Sequence, residues 1–243
     1  MTCLSSSSYL LLKRAAIWCA LVTVFLASVP LHGFDDLLTM PFYGSSGFIL
    51  RGNGVVELLH NYAGKVPPAL AALWFLRVAL FPRNVVKVNT ISPRKAALYA
   101  LLAMLLSIVL VGLLKKLTGM NCPWDLKIYG GNAEHSVPLY EMLQGNFSGH
   151  CWPSGYSGGI FSVYAWCFYL CLRGKSKRVI ILSFTLITAL GLLGGVLQMA
   201  RGAHFPSHII AAMTFDYALC FFIMSGPLKR AAAAGVVKSS DEG

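Results

Sequence analysis

The chain has 243 residues, of which 56% are hydrophobic and 12% charged, with a mean hydropathy of +0.66. So apolar a composition excludes an ordinary water-soluble domain, which must cover itself with charge. The formal charge of +11 does not mark a nucleic-acid partner, because Lys and Arg fall in short clusters between apolar runs and form no single basic face.

Lys13 and Arg14 precede the first apolar run, 15–31. A charged start and a short apolar stretch suit a cleaved signal peptide as well as a retained helix. The retained helix is preferred: its length approaches the ~20 residues that cross a bilayer, and it gives an even number of spans. Further helices are expected at 68–81, 96–114, 157–172, 179–199 and 208–224, the second being the shortest. The expected fold is therefore all-α: one polytopic domain over 1–243, about six transmembrane helices in a bundle, with an extracytoplasmic active-site loop.

Basic residues crowd alternate connections: Lys13 and Arg14; Arg83, Lys87, Arg94 and Lys95; Arg173, Lys175, Lys177 and Arg178; Lys229, Arg230 and Lys238. The positive-inside rule places these connections and both termini in the cytoplasm. The opposite connections, 33–67, 115–156 and 201–207, hold nearly all the Gly, Pro, Trp and His outside the helices. The polar tail 238–243 is expected to be unstructured. Of the seven cysteines, Cys19, Cys167, Cys171 and Cys220 lie in apolar runs and read as small hydrophobes. Cys122 and Cys151 share one outer loop and form a candidate disulfide.

Three patches fall on the outer side. Lys115 and Lys116 end a helix and precede Asn121-Cys122-Pro123-Trp124-Asp125-Leu126; taken alone, the lysines read as snorkelling side chains. Pro153-Ser154-Gly155-Tyr156-Ser157-Gly158-Gly159 leads into a helix, and suits an anion at a helix N-terminus as well as a small-residue packing face. Arg201-Gly202-Ala203-His204-Phe205-Pro206-Ser207-His208 concentrates a guanidinium and two imidazoles at a membrane face. Three basic or Gly-rich patches on one side suit an anion, with phosphate the natural candidate.

Together the patches resemble the membrane branch of the type 2 phosphatidic acid phosphatases, whose pattern is Lys-x6-Arg-Pro, Pro-Ser-Gly-His and Ser-Arg-x5-His-x3-Asp. Lys115 with Cys122-Pro123 matches the first motif with Cys for Arg. Pro153-Ser154-Gly155 matches the second with Tyr156 for His. His204 falls on the nucleophile of the third, with His208 where Asp stands, Gln198 at the Arg position and Arg201 one helical turn nearer the His. The Cys-Pro-Trp-Asp-Leu and Arg-Gly-Ala-His-Phe-x-Ser-His strings are similar to a bacterial subgroup that includes lipid A phosphatase-like members.

The resemblance implies hydrolysis of a phosphate monoester on a lipid or isoprenoid through a phosphohistidine, with neither metal nor cofactor. His204 would attack phosphorus; Lys115, Arg201, Ser154 and the Gly155 N–H would hold the phosphate oxygens. Tyr156, or His150 six residues earlier, would have to replace the missing leaving-group acid. His208 would orient the nucleophile without adding negative charge, with Asp125 and Glu134 as distant substitutes. The expected partners are the lipid phosphate and membrane lipids, in a bacterial inner membrane with the site facing the periplasm. A phosphotransferase of the same fold and a catalytically silent relative that binds lipid phosphate remain alternatives. The sequence does not set the oligomeric state.

Overall fold

The computed structural model describes residues 5–62, 64–81, 91–146 and 148–240. Arg83, Lys87 and the side chain of Lys238, counted above among the basic clusters, lie outside them. The chain is a helical bundle: α1 (Ser6–Ser28), α2 (His32–Thr39), a two-strand hairpin of β1 (Tyr43–Gly44) and β2 (Gly47–Phe48), α3 (Gly54–Tyr62), α4 (Val66–Leu80), α5 (Pro93–Leu117), α6 (Pro138–Leu143), α7 (Gly155–Phe161), α8 (Tyr164–Leu172), α9 (Lys177–Ala200) and α10 (Pro206–Ser240). The hairpin pairs Tyr43 with Phe48 and Gly44 with Gly47, antiparallel.

Local chemistry starts the long helices where serines fall. Ser5, Ser92 and Ser176 accept hydrogen bonds from the N–H groups of Ser8, Lys95 and Val179, and Pro93 follows Ser92 at the first helical position. Five stretches are long and apolar enough to cross a bilayer: Ser6–Ser28, Gly54–Leu80, Pro93–Leu117, Lys177–Ala200 and Pro206–Ala234. The chain is thus a polytopic membrane protein. Leucines of α1, α4, α5 and α9 stand exposed, as lipid-facing side chains do.

The fourth apolar run, expected as one helix over 157–172, is divided into α7 and α8 at Ser162 and Val163. There the Ser162 hydroxyl donates to the Gly159 carbonyl at 2.7 Å. This divided helix is the centre of the bundle. Tyr164, Ala165 and the whole of Cys167 to Leu172 are buried, and Trp166 and Tyr169 pack against Trp74 and Phe75 of α4. A segment apolar on all sides has no lipid-facing stripe to present, and it fills the interior. The first and last long helices close the bundle around it: Thr23 of α1 shares a 2.8 Å hydrogen bond with Thr214 of α10, and Tyr9 packs on Phe221.

The outer connection 33–67 contains α2, the hairpin and α3. One expectation is corrected. The tail expected from residue 238 is helical as far as Ser240, because the run Ala231 to Ala234 of strong helix formers carries α10 past its apolar stretch. Residues 241–243 lie outside the described residues.

Basic clusters gather at one end of the bundle. Arg173, between α8 and α9, donates to the Ile91 carbonyl beside the start of α5. Ile91, Lys95, Pro227 and Arg230 line one cavity there. At the opposite end the hairpin and the 115–156 segment form a cap, in which Phe48, Leu126, Tyr129 and Phe205 make a small core.

Candidate functional site

The C-terminal end of α9 carries the third patch and shows how local sequence aims it. Gly202 N–H donates to Met199 O at 2.8 Å and Ala203 N–H to Gln198 O at 2.9 Å, the pairing of a Schellman motif with glycine in the left-handed region, φ +77°. A side chain at 202 would also run into the Phe48 ring, so glycine is required twice over. The reversal leaves Arg201 on the last turn of α9 and sends His204 back over the bundle toward α10, whose start at Pro206 is fixed from α2. Asp35 accepts from the Ser207 N–H at 3.0 Å and from its hydroxyl at 2.6 Å, capping α10 from another helix.

The second patch is tied to the third by backbone, since Ser154 N–H donates to His208 O at 3.0 Å. Ser154 is buried and caps α7 by accepting from Ser157 N–H. The first patch arrives from the end of α5. Lys115 Nζ stands 3.3 Å from where a Cβ on Gly155 would be, so the ammonium lies close over the start of α7 and a side chain at 155 would press on it. Lys115 acts electrostatically on both His204 and His208. Cys122 and Cys151 are joined as a disulfide with Cα atoms 5.2 Å apart, and Cys151 N–H donates to Met120 O at 3.0 Å, which draws the ends of the outer loop together.

Lys115, Ser154, Gly155, Tyr156, Arg201, His204 and His208 therefore converge at one end of the bundle. His204 and His208 are both buried, with ring centroids 5.8 Å apart. Nδ1 of His204 and both ring nitrogens of His208 make no hydrogen bond of ordinary geometry, although the Cys151 backbone lies near both rings. Burial holds the His204 pKa well below the usual imidazole range, and Lys115 and His208 push it the same way. At neutral pH its ring is a free base with an available lone pair.

Arg201 reaches back one turn: its Nη1 donates to Gln198 Oε1 at 2.6 Å. Its other donors meet Glu57 of α3 in a bidentate pair, Nη2 lying 2.7 and 2.8 Å from the two carboxylate oxygens. Tyr156 lies flat in a slot. A Cβ on Gly64 would be 2.7 Å from its Cδ2, one on Gly194 would be 2.5 Å from its Cε1, and the His60 imidazole stacks on it at 5.6 Å and 14°.

Other expected candidates have different partners. Asp125 accepts from Cys122 N–H at 3.1 Å, holding the turn before the disulfide. Glu134 forms an exposed ion pair with Lys127. His150 sits at the rim, its Nδ1 3.3 Å from the Lys115 carbonyl oxygen. Glu57, His60 and Asp35 were not singled out in the sequence. The one available signal was the Glu57-x2-His60 spacing, which puts both side chains on one helical face once α3 is known to be a helix. Among the described residues no group of three or more His, Cys, Asp or Glu is arranged to hold a metal ion.

The chain is thus a helical integral membrane protein with Lys115, Arg201 and a buried free-base His204 gathered at one end of the bundle. The family model of the PAP2 superfamily matches residues 96–231, more than half of the chain, and the chain belongs to that superfamily. That membership supports a phosphatase-type function. No curated protein and no solved structure matches the chain.

Proposed function

We propose that the chain is a phosphoric monoester hydrolase of the membrane branch of its superfamily, removing phosphate from a lipid or isoprenoid phosphate through a phosphohistidine on His204. The observation that supports this reading is a buried, unprotonated His204 with Lys115 acting on it from over Gly155, and with Arg201 beside the neighbouring Tyr156 and His60.

In the mechanism, the phosphate dianion settles between Lys115 and Arg201, with Arg201 exchanging Glu57 for phosphate oxygens. The Gly155 N–H and the Ser154 hydroxyl take the remaining oxygens. Charge that grows on them in the transition state then meets donors already in place, which is where electrostatic preorganisation contributes most. His204 attacks phosphorus as the ester oxygen leaves, and water then cleaves the phosphorus–nitrogen bond to release inorganic phosphate. His208, four residues on, packs against the nucleophile and limits its orientations. The lipid tail suits a site at the mouth of a membrane bundle, and the end holding the basic clusters is read as cytoplasmic. The site then faces the periplasm of a bacterial inner membrane.

Purified protein given dioleoyl phosphatidate in mixed micelles should release inorganic phosphate. His204→Ala should abolish that release while leaving lipid binding within a few-fold, since Lys115, Ser154 and Arg201 remain. Undiminished release from His204→Ala would refute the phosphohistidine. No release from wild-type protein on a panel of lipid phosphates would leave the silent relative as the answer.

A further inference from the structure

Tyr156 stands where the superfamily pattern has the leaving-group acid, and a phenol with a pKa near ~10 is a poor donor to an alkoxide beside an imidazolium. The space that such an acid would serve is not empty of imidazole. His60 enters it from α3, at the start of the Gly54–Leu80 stretch and outside the three motif segments. Its ring lies parallel to Tyr156 at 5.6 Å, within reach of the Gln198 side chain for a hydrogen bond, and it meets the charges of Arg201, Glu57 and Lys65 and acts on His204. Nδ1 of His60 is buried and has no hydrogen-bond partner. Glu57, one turn earlier on α3, grips the Arg201 guanidinium in the substrate-free site, and the stack on Tyr156 holds the His60 ring there when phosphate takes the place of Glu57.

An imidazole on the face of the residue that replaces the acid, near the Glu57 carboxylate that favours its protonated form, has the position of a proton donor once a bound phosphate dianion offsets the Arg201 charge that opposes an imidazolium. We infer that His60 is the general acid of this phosphatase, protonating the departing oxygen of an alkyl phosphate from α3 in place of the second-motif histidine. The inference rests on the proposed phosphohistidine mechanism. In the first step His204 nitrogen bonds to phosphorus, the phosphorus–oxygen ester bond breaks, and that oxygen takes the proton of the His60 imidazolium and leaves as the alcohol. In the second, neutral His60 accepts a proton from the attacking water as the phosphorus–nitrogen bond breaks, which restores the imidazolium and frees His204. Tyr156 serves as the flat support that sets the His60 ring.

Leaving-group dependence separates this role from a structural one. p-Nitrophenolate departs as a stable anion, whereas the glycerol oxygen of dioleoyl phosphatidate needs a proton. General acid catalysis is typically worth ~10²–10⁴-fold. His60→Gln should therefore lower kcat/KM for dioleoyl phosphatidate by about 100-fold or more, and by at least about ten-fold more than for p-nitrophenyl phosphate. In His60→Ala, added imidazole should restore part of the phosphatidate turnover, which guards against a variant that simply fails to fold. Equal losses on both substrates, no rescue by imidazole, or the same selective loss in Tyr156→Phe would each overturn the assignment of His60. Wild-type protein inert toward both substrates would instead overturn the phosphatase reading beneath it.

Discussion

Arg201 has its guanidinium engaged before any substrate arrives: Nε and Nη2 lie on Glu57, and Nη1 on Gln198. A carboxylate in a bidentate pair with arginine occupies the geometry that two phosphate oxygens would take. In the proposed mechanism Glu57 and substrate therefore compete for one cation. Because Glu57 is 39% exposed, water screens the pair and the competition is modest. Glu57→Gln should strengthen product inhibition by inorganic phosphate about three- to ten-fold, equivalent to roughly 1 kcal/mol, as read by the inhibition constant against p-nitrophenyl phosphate. An unchanged constant would mean that Arg201 does not meet the phosphate. The sequence could not display this contact, since 144 residues separate the partners and the 33–67 segment carries no apolar run long enough to announce a helix.

Among the elements, α2 and α10 depend on one another through Asp35. Its buried carboxylate receives the Ser207 N–H and hydroxyl, and it thereby decides where α10 begins and where His208 is placed. Burial raises the Asp35 pKa to about 6, the Ser207 hydrogen bonds opposing it and Asp36 adding to the rise. The folded protein then binds this proton more tightly than the unfolded chain does. The contribution of Asp35 to stability is greatest below its ordinary pKa of 3.8, declines as pH rises from there to about 6, and is level above that. Asp35→Asn keeps an acceptor for Ser207 and should flatten that dependence in thermal unfolding followed from pH 4 to 7. Asp35→Ala removes the cap and should cost about 1–2 kcal/mol. A pH profile identical in wild type and Asp35→Asn would count against a raised pKa at this carboxylate. The elements differ in how plainly the sequence announced them. The turn after α9 was legible, because Arg-Gly-Ala-His places glycine where a helix must reverse. The break between α7 and α8 was not, because Ser162 and Val163 continue an apolar run and no glycine or proline marks it.

At the scale of the whole molecule, apolar runs and charge clusters foretold a bundle with its polar residues at two distinct ends, and the fold keeps them there. What the sequence withheld was the cap, whose small core of Phe48, Leu126, Tyr129 and Phe205 is assembled from residues scattered along the chain. The Cys122–Cys151 link closes a stretch of 29 residues in that cap. In the chain-entropy model such a loop is worth ~3–4 kcal/mol, and such links persist only in oxidising compartments. One experiment therefore reads both the bond and its side of the membrane. In intact spheroplasts a membrane-impermeant maleimide should fail to label Cys122 and Cys151, and should label both after an impermeant reductant. Labelling before reduction would deny the bond. Labelling only after the membrane is opened would put the site on the cytoplasmic side.

The hydrogen bond between Thr23 and Thr214 joins the first long helix to the last across 191 residues of sequence. During synthesis α1 reaches the bilayer long before the helix that will cover its threonine, and in the interval the hydroxyl has only its own helix, through the Cys19 carbonyl at 2.9 Å, to satisfy it. Lys115 and Ser154 likewise wait for His204 and His208, which come late in translation. A ribosome that stalls before His204 thus leaves a set of inserted spans without either imidazole, and the Lys115 end of the bundle is completed only when the final segment docks.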